Sequence, residues 1–384
     1  MTAHRKPASK IKRIVLSVLR LGALLTFSEA RACDQELSST WFSAPHILHS
    51  DFIERGQASQ FVSGFFECVE DYIFDPLYKR SELQKVRASL LAEVARNKAL
   101  QREHLDTLLA RGLARVGISH LASIPPEQSR RLIDSATAQP KTSAISVKLD
   151  LNGIAVLKVR SFLVPIITRD QVTRAMEQIK ASRILIIDLR GNGGGSFSSV
   201  SYLTEHFLGP NVRLFTARTR GGLGLLDLHG VDGYASDSVN RGSQNDLEVL
   251  SRHGFIEWRT SRMASSPIQR SVYLLTDSAC QSSCEIFVTA MREHKAASII
   301  GAKTAGNVLA ASAFRGFMPG YLILLPIAKL LSPSGQSYEG RGIAPDFEIS
   351  ECSFSNDVKE DECLGRAIDL VRIREPPIAE KKQE

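Results

Sequence analysis

An α/β protein with mainly parallel strands, preceded by a helical segment, is the fold class that three features of the sequence predict. From about Trp41 to Ile124, apolar residues recur at three- and four-residue steps, the spacing of amphipathic helices. After Ala144, apolar runs of strand length alternate with helical stretches, an order that builds a parallel sheet. A chain of 384 residues, 43% hydrophobic, can bury a core for two or three such units.

Residues 1–32 read as an export signal. The basic stretch HRKPASKIKR precedes the apolar run IVLSVLRLGALLTF, and ARA supplies small residues just before Cys33. Arg20 interrupts the run, so a basic amphipathic N-terminus is the competing reading. The run also falls short of the roughly 20 apolar residues of a membrane span, and no integral span is expected after signal removal. Arg31 stands where a lipoprotein signal has a small residue, which disfavours a lipid anchor on Cys33. The expected location is periplasmic or secreted.

The same segment accounts for the basic charge. It holds seven basic residues and one acidic, and removing it brings the formal charge from +7 to +1. A near-neutral remainder gives no support to a nucleic-acid partner.

Residues 33–125 form the predicted helical domain. SQFVSGFFECVEDYIF and SELQKVRASLLAEVARNKALQREHLDTLLARGLARVG are its helices, with the turn DPLYKRSE between them and Ser81 as a cap. Residues 126–144 are a polar, proline-bearing linker with room for one short helix. Residues 145–350 are the predicted α/β core. ISVKLDLNGIAVLKVRSF reads as a hairpin around Asn152-Gly153, RDQVTRAMEQIKAS as an amphipathic helix, and RILIIDLRGNGGG as a buried strand entering a glycine cluster. SSVSYLTEHFLG is a helix, SVYLLT a strand, and ASIIGAK and YLILLPIAKLL further strands. Thr216–Ser266, rich in Gly, Asp, Ser and Arg, has the character of a lid or specificity loop. Residues 351–384 are a polar tail carrying one helix, CLGRAIDLVRI.

The six cysteines suit an oxidising compartment, and sequence alone cannot fix their pairing. Proximity in sequence suggests Cys280–Cys284 and Cys352–Cys363, leaving Cys33–Cys68. No Cys-x-x-Cys or His-x-x-x-His spacing supports zinc.

Two stretches carry chemistry. DLRGNGGG, from Asp188 to Gly195, ends a strand in glycines whose backbone N–H groups can converge on an anion. It lacks the spacing of a dinucleotide fingerprint or a P-loop, and a plain strand-to-helix turn is the alternative. VYLLTDSACQSSCEIF reads as strand, turn and helix, placing a side chain at a helix N-terminus. Ser282 and Glu285 have the spacing of a capping box, which would give both a purely structural duty.

Taken in order, RILIIDLRGNGGG, LTDSACQSSCEIFVTAMREHKAASIIGAKTAGN and LLSPSGQSYEGRGIAPDFEI resemble the C-terminal processing, or tail-specific, serine peptidases, which share their core with tricorn-type peptidases. The resemblance runs from about Ile145 to Ile349, and FECVEDYIFDP is similar to that family's helical N-terminal segment. It implies a ClpP/crotonase-like peptidase core and an exported serine endopeptidase acting on peptides or proteins, with no metal or organic cofactor. It makes Ser282 the nucleophile, followed by Glu285, with the N–H groups of Ser283 and Gly194, next to Gly195, as oxyanion donors.

The general base departs from the family pattern. Asn307 occupies the place of the family's lysine in a Thr-x-Gly-Lys stretch, and Ala311 that of a glutamine one turn later. Tricorn-type enzymes place a histidine on the strand before the glycine cluster, where this chain has Lys158. Lys158 shares a strand face with Ile154 and Val156, and a dry face would lower its pKa towards that of a base. Lys303 is the substitute, and Glu339 matches a carboxylate late in the tricorn-type core. His206, His229, His253 and His294 read as surface residues. Residues 126–144 leave no room for the PDZ domain many relatives carry there. Two further readings follow: an inactive, peptide-binding relative, and redox control through a Cys280–Cys284 bridge around Ser282.

Overall fold

The computed structural model describes residues 51–137, 143–149, 153–163, 167–220, 254–262, 264, 266–350, 352 and 361–375. The predicted export signal, Cys33 and most of the predicted lid lie outside them.

The N-terminal part holds strand β1 (Phe52–Glu54), helices α1 (Arg55–Tyr72) and α2 (Arg80–Arg96), β2 (Ala99–Gln101), α3 (Arg102–Val116), β3 (Ala122–Ile124) and α4 (Pro126–Thr137). What the sequence suggests as one long helix from Ser81 is two, because the chain is extended at Asn97 and β2 pairs antiparallel with β1. The cap is Lys79, not Ser81. Lys79 adopts φ 50°, and its ammonium donates to the carbonyls of Val116 and Gly117 at the C-terminus of α3.

The core follows with β4 (Ile145–Leu149), β5 (Ile154–Val159), α5 (Arg169–Gln178), β6 (Ile184–Asp188), α6 (Phe197–Leu208), β7 (Arg213–Arg218), β8 (Phe255–Arg259), β9 (Ser271–Thr276), α7 (Ser283–Glu293), β10 (Ser298–Gly301), β11 (Leu309–Arg315), β12 (Leu322–Leu331), β13 (Phe347–Glu348) and α8 (Glu362–Arg374). Six strands form one sheet in the order β13-β10-β9-β6-β5-β4, and only the β4–β5 hairpin in it is antiparallel. The predicted α/β class and mainly parallel sheet are what the structure shows.

Both faces of this sheet are covered, as the continuous apolar strands require. Ala155, Leu157, Val159, Leu185, Ile187 and Leu274 face the layer that contains α5, α6 and α7. Their alternating neighbours, Ile154, Val156, Ile184, Ile186, Tyr273 and Leu275, pack with Leu364, Ala367 and Val371 of α8. The C-terminal helix is thus part of the core's packing rather than a loose tail.

A second, antiparallel sheet, β11-β12-β7-β8, lies alongside, with β3 paired to the start of β12. Helices α1 and α3 bury their apolar faces against it, through Phe61, Phe65, Leu105 and Leu109 against Phe314, Tyr321, Ile323 and Leu325, and α2 packs on those two helices. The Tyr321 hydroxyl donates to the Asp106 carboxylate across this seam at 2.9 Å. That packing carries the chain after α3 towards the C-terminal loops of the core.

Cys280–Cys284 and Cys352–Cys363 are disulfides, as their proximity suggested. Cys68 is also disulfide-bonded, to a partner outside the described residues.

Candidate active site

Strand β9 is followed by Asp277, whose carboxylate accepts from the N–H groups of Ala279 and Cys280 and so folds the chain into a tight turn. The same carboxylate accepts from Gly191 N–H at 3.0 Å, joining this turn to the Gly-rich loop that follows β6. Ser282 then sits at the N-cap of α7 with φ 58° and ψ −125°. A non-glycine residue at positive φ is strained, and such strain collects at functional sites.

The capping box is not formed. The Ser282 hydroxyl makes no cap hydrogen bond, and its backbone N–H donates to Asn307 O at 2.9 Å. Glu285, fully buried, accepts instead from Thr304 Oγ1 at 2.6 Å and from the N–H groups of Gly306 and Asn307 at 2.8 Å. Burial raises its pKa, against the lowering pull of these donors and of the Ser282 N–H. With its acceptors engaged, Glu285 clamps the 304–307 loop to the helix that carries Ser282.

The Gly-rich loop closes the other side. Asn192 Nδ2 donates to Val159 O, and Asn192 Oδ1 accepts from Gly194 N–H at 2.8 Å. Gly194 presses on the serine turn: a Cβ there would lie 2.8 Å from Ser282 Cβ and 3.0 Å from Ser283 N. Ser283 Oγ donates to Gly195 O. The N–H groups of Gly195 and Ser283 have no acceptor among the described residues. Gly194 therefore shapes the cleft with its N–H already committed, while its neighbour Gly195 and Ser283 keep theirs available.

Lys158 does not join this group. It is half-buried on the β5 face that carries Ile154 and Val156, the face covered by α8. The charge it acts on is Asp361, at the N-cap of α8. The serine turn packs on the opposite face, where Cys280 and Cys284 belong to the other core cluster. The shared strand face is as expected; it is the wrong face for a base. Lys303 is exposed against Gly342. Asn307 stands beside Ser282, its amide donating to Gln281 Oε1 at 2.7 Å.

Another group does converge here, and sequence reading passed over half of it. Glu339 Oε2 accepts from Val308 N–H at 2.7 Å, one residue beyond the carbonyl that holds Ser282. The same carboxylate accepts from Ser119 N–H at 3.0 Å and from Ser119 Oγ at 2.9 Å. Ser119 Oγ lies 3.1 Å from His120 Nδ1. A hydroxyl that donates to a carboxylate must accept from the ring, so His120 carries its proton on Nδ1 and presents Nε2 as a lone pair. Burial lowers the His120 pKa, opposed by the Glu339 charge. His120 itself has φ 59° and follows the left-handed Gly117 that ends α3. The only local signal for it was Ser-His directly after a glycine-capped helix.

Of the other histidines, His294 is exposed, with Nε2 2.7 Å from Arg213 O, and His206 is partly buried with a lowered pKa from burial and Arg169. His229 and His253 lie outside the described residues.

A strained serine at a strand-to-helix turn, facing a Gly-rich loop at the end of a parallel sheet, defines the class. The chain belongs to peptidase family S41, whose model matches residues 153–349. It is 33% identical over 99 residues to a probable CtpA-like serine protease of Staphylococcus haemolyticus (strain JCSC1435), covering 26% of this chain and 20% of that protein. The chain spans about a fifth of the length of the curated relatives it matches. Among solved structures, it is similar to a putative peptidase from Parabacteroides merdae ATCC 43184, at 18% identity and TM-score 0.54, covering 83% of this chain and 97% of that one. A lipoprotein from Streptococcus agalactiae is similar at 15% identity and TM-score 0.53, with 83% and 96% covered. These two likenesses establish the fold.

Proposed function

We propose that the protein is an exported serine peptidase that hydrolyses peptide bonds of protein or peptide substrates. Ser282 Oγ attacks the carbonyl carbon and gives its proton to His120 Nε2. The tetrahedral oxyanion is held by the N–H groups of Ser283 and of the Gly194–Gly195 turn, Gly195 being the glycine with a free donor. Collapse breaks the C–N bond, and His120 returns the proton to the leaving amine. Water, activated by the same imidazole, then releases the acyl group from Ser282. Glu339, acting through Ser119, fixes the imidazole tautomer and supports its positive charge. Glu285 holds the surrounding loop.

The observation that carries this reading is the hydrogen-bonded series His120–Ser119–Glu339–Val308, which ends one residue from the carbonyl bound to the Ser282 N–H. Export is supported by the two disulfides and by the character of residues 1–32.

The test is labelling of the purified protein with a fluorophosphonate probe. Wild type is expected to label, Ser282→Ala not at all, and His120→Gln roughly a hundred- to ten-thousandfold more slowly. Lys158→Ala is expected to label like wild type. A folded wild type that never labels would favour the inactive, peptide-binding reading, which Asn307 in the lysine's place first suggested.

A further inference from the structure

Something must hold Ser282 in its strained conformation, because positive φ at a non-glycine residue persists only where its surroundings over-determine it. Backbone contacts contribute: Ala305 N–H donates to Cys280 O at 3.0 Å, and Gln281 N–H to Asn192 O at 3.2 Å. The disulfide Cys280–Cys284 adds a covalent tie, with 5.5 Å between its Cα atoms and both residues fully buried. Ser282 lies at the centre of the loop it closes.

A bridge between residues four apart restricts the unfolded chain less than a longer loop does, since the stabilisation of a crosslink grows, slowly, with the loop it closes. Cys352–Cys363, at a separation of 11, does more in that respect. Loop entropy alone therefore does not account for placing the shorter loop around Ser282. Its burial also sets it apart from exposed disulfides that exchange with solvent thiols. What it does fix is the relation between the residue two before Ser282 and the residue two after, which spans both the strained φ and the Ser283 N–H.

We propose that the Cys280–Cys284 disulfide is a positioning element for the nucleophile. It holds Ser282 at positive φ and keeps the Ser283 N–H aimed at the oxyanion. This rests on the reading of Ser282 as nucleophile.

The experiment compares wild type with Cys280→Ala/Cys284→Ala, using Cys352→Ala/Cys363→Ala as control. In the first pair the limiting rate of fluorophosphonate labelling is expected to fall about ten- to a hundredfold, the range that small misplacements of reacting groups produce. The half-saturating probe concentration is expected to hold, and the control to keep the wild-type rate. A lower Tm with an unchanged limiting rate would overturn the proposal, showing an ordinary staple.

A second measurement needs no activity. Ser282→Gly relieves the strain, so it is expected to stabilise the bridged protein against urea and to stabilise the bridge-free protein less. Equal gains in both backgrounds would overturn the proposal. If Cys280→Ala/Cys284→Ala does not fold, the labelling comparison is made with Cys280→Val/Cys284→Ala, which refills part of the buried volume: a limiting rate lower by about ten- to a hundredfold supports the positioning role, and an unchanged rate overturns it. If wild type does not label, the reading of Ser282 as nucleophile fails, while the urea comparison still reports on the bridge.

Discussion

His120 titrates in the one range where a small change of surroundings alters catalysis at neutral pH. Burial lowers its pKa below the ordinary 6.5, and Glu339 pulls in the other direction. In the proposed mechanism the neutral imidazole is the base, so the labelling rate is expected to be level at neutral pH and to fall as pH drops through a midpoint below 6.5. Glu339→Gln removes the charge that favours the imidazolium, and its midpoint is expected at still lower pH. A pH–rate profile of both proteins checks this; a wild-type midpoint above 6.5, or a shift to higher pH in the variant, contradicts it. At this scale the sequence was only half legible. Ser282 and Glu339 stood in recognisable surroundings, but Ser119-His120 reaches the site only because the helical layer packs on the second sheet. Lys158 misled for a definite reason: strand alternation shows which residues share a face, yet when both faces of a sheet are buried it does not say which face holds the serine turn.

The strand–turn–helix elements around the site were the most legible part, because apolar runs of strand length end in glycines or turn residues. The Gly-rich loop shows how unevenly those glycines are used. Gly195 has φ 145°, and a Cβ there would fall 2.2 Å from Phe162 C and 2.3 Å from Leu163 N, both backbone atoms. Gly193 has only Gln281 Nε2 near its Cβ position, at 3.6 Å, with no left-handed φ. Gly195→Ala is expected to destabilise by about 1–3 kcal/mol, and Gly193→Ala to stay within about 0.5 kcal/mol, as a substitution without a special contact. Urea denaturation of the two variants decides it, and similar losses would mean that the loop is not held by the Phe162–Gly195 approach. The break at Asn97 was not legible, because RNKAL holds neither proline nor glycine and the pairing of β2 with β1 is non-local.

Across the whole molecule, the C-terminal helix is tied to the sheet edge from which the Gly-rich loop departs. Arg190, fully buried, donates to Asp188 at 2.9 Å through Nε and Nη2, and to Asp361 at 2.8 and 2.6 Å. Burial opposes its charge, but the bonds and charges of Asp361 and Asp188 prevail and raise its pKa above the ordinary value. Burial likewise acts to raise the Asp361 pKa, and Arg190 together with the Leu364 N–H more than offsets it, leaving it below 3.8. Removing Arg190 leaves the buried Asp188, among the described residues, with the Arg160 pairing at 3.1 Å as its remaining ion pair, and strands Asp361 at the head of α8. Arg190→Met is therefore expected to destabilise by about 3–5 kcal/mol at neutral pH, the range for breaking a buried pair. A carboxylate whose pKa is depressed in the fold contributes stability above its unfolded value and loses it as pH falls through its folded value. The difference between wild type and Arg190→Met is accordingly expected to narrow only as pH falls below the usual carboxylate range, where Asp361 takes up its proton. Urea denaturation of both proteins at neutral and acid pH measures the two gaps. An undiminished gap in acid would mean that the Arg190 guanidinium is held by packing rather than by the ionised Asp361, and that α8 is fastened to the sheet mainly by its apolar face.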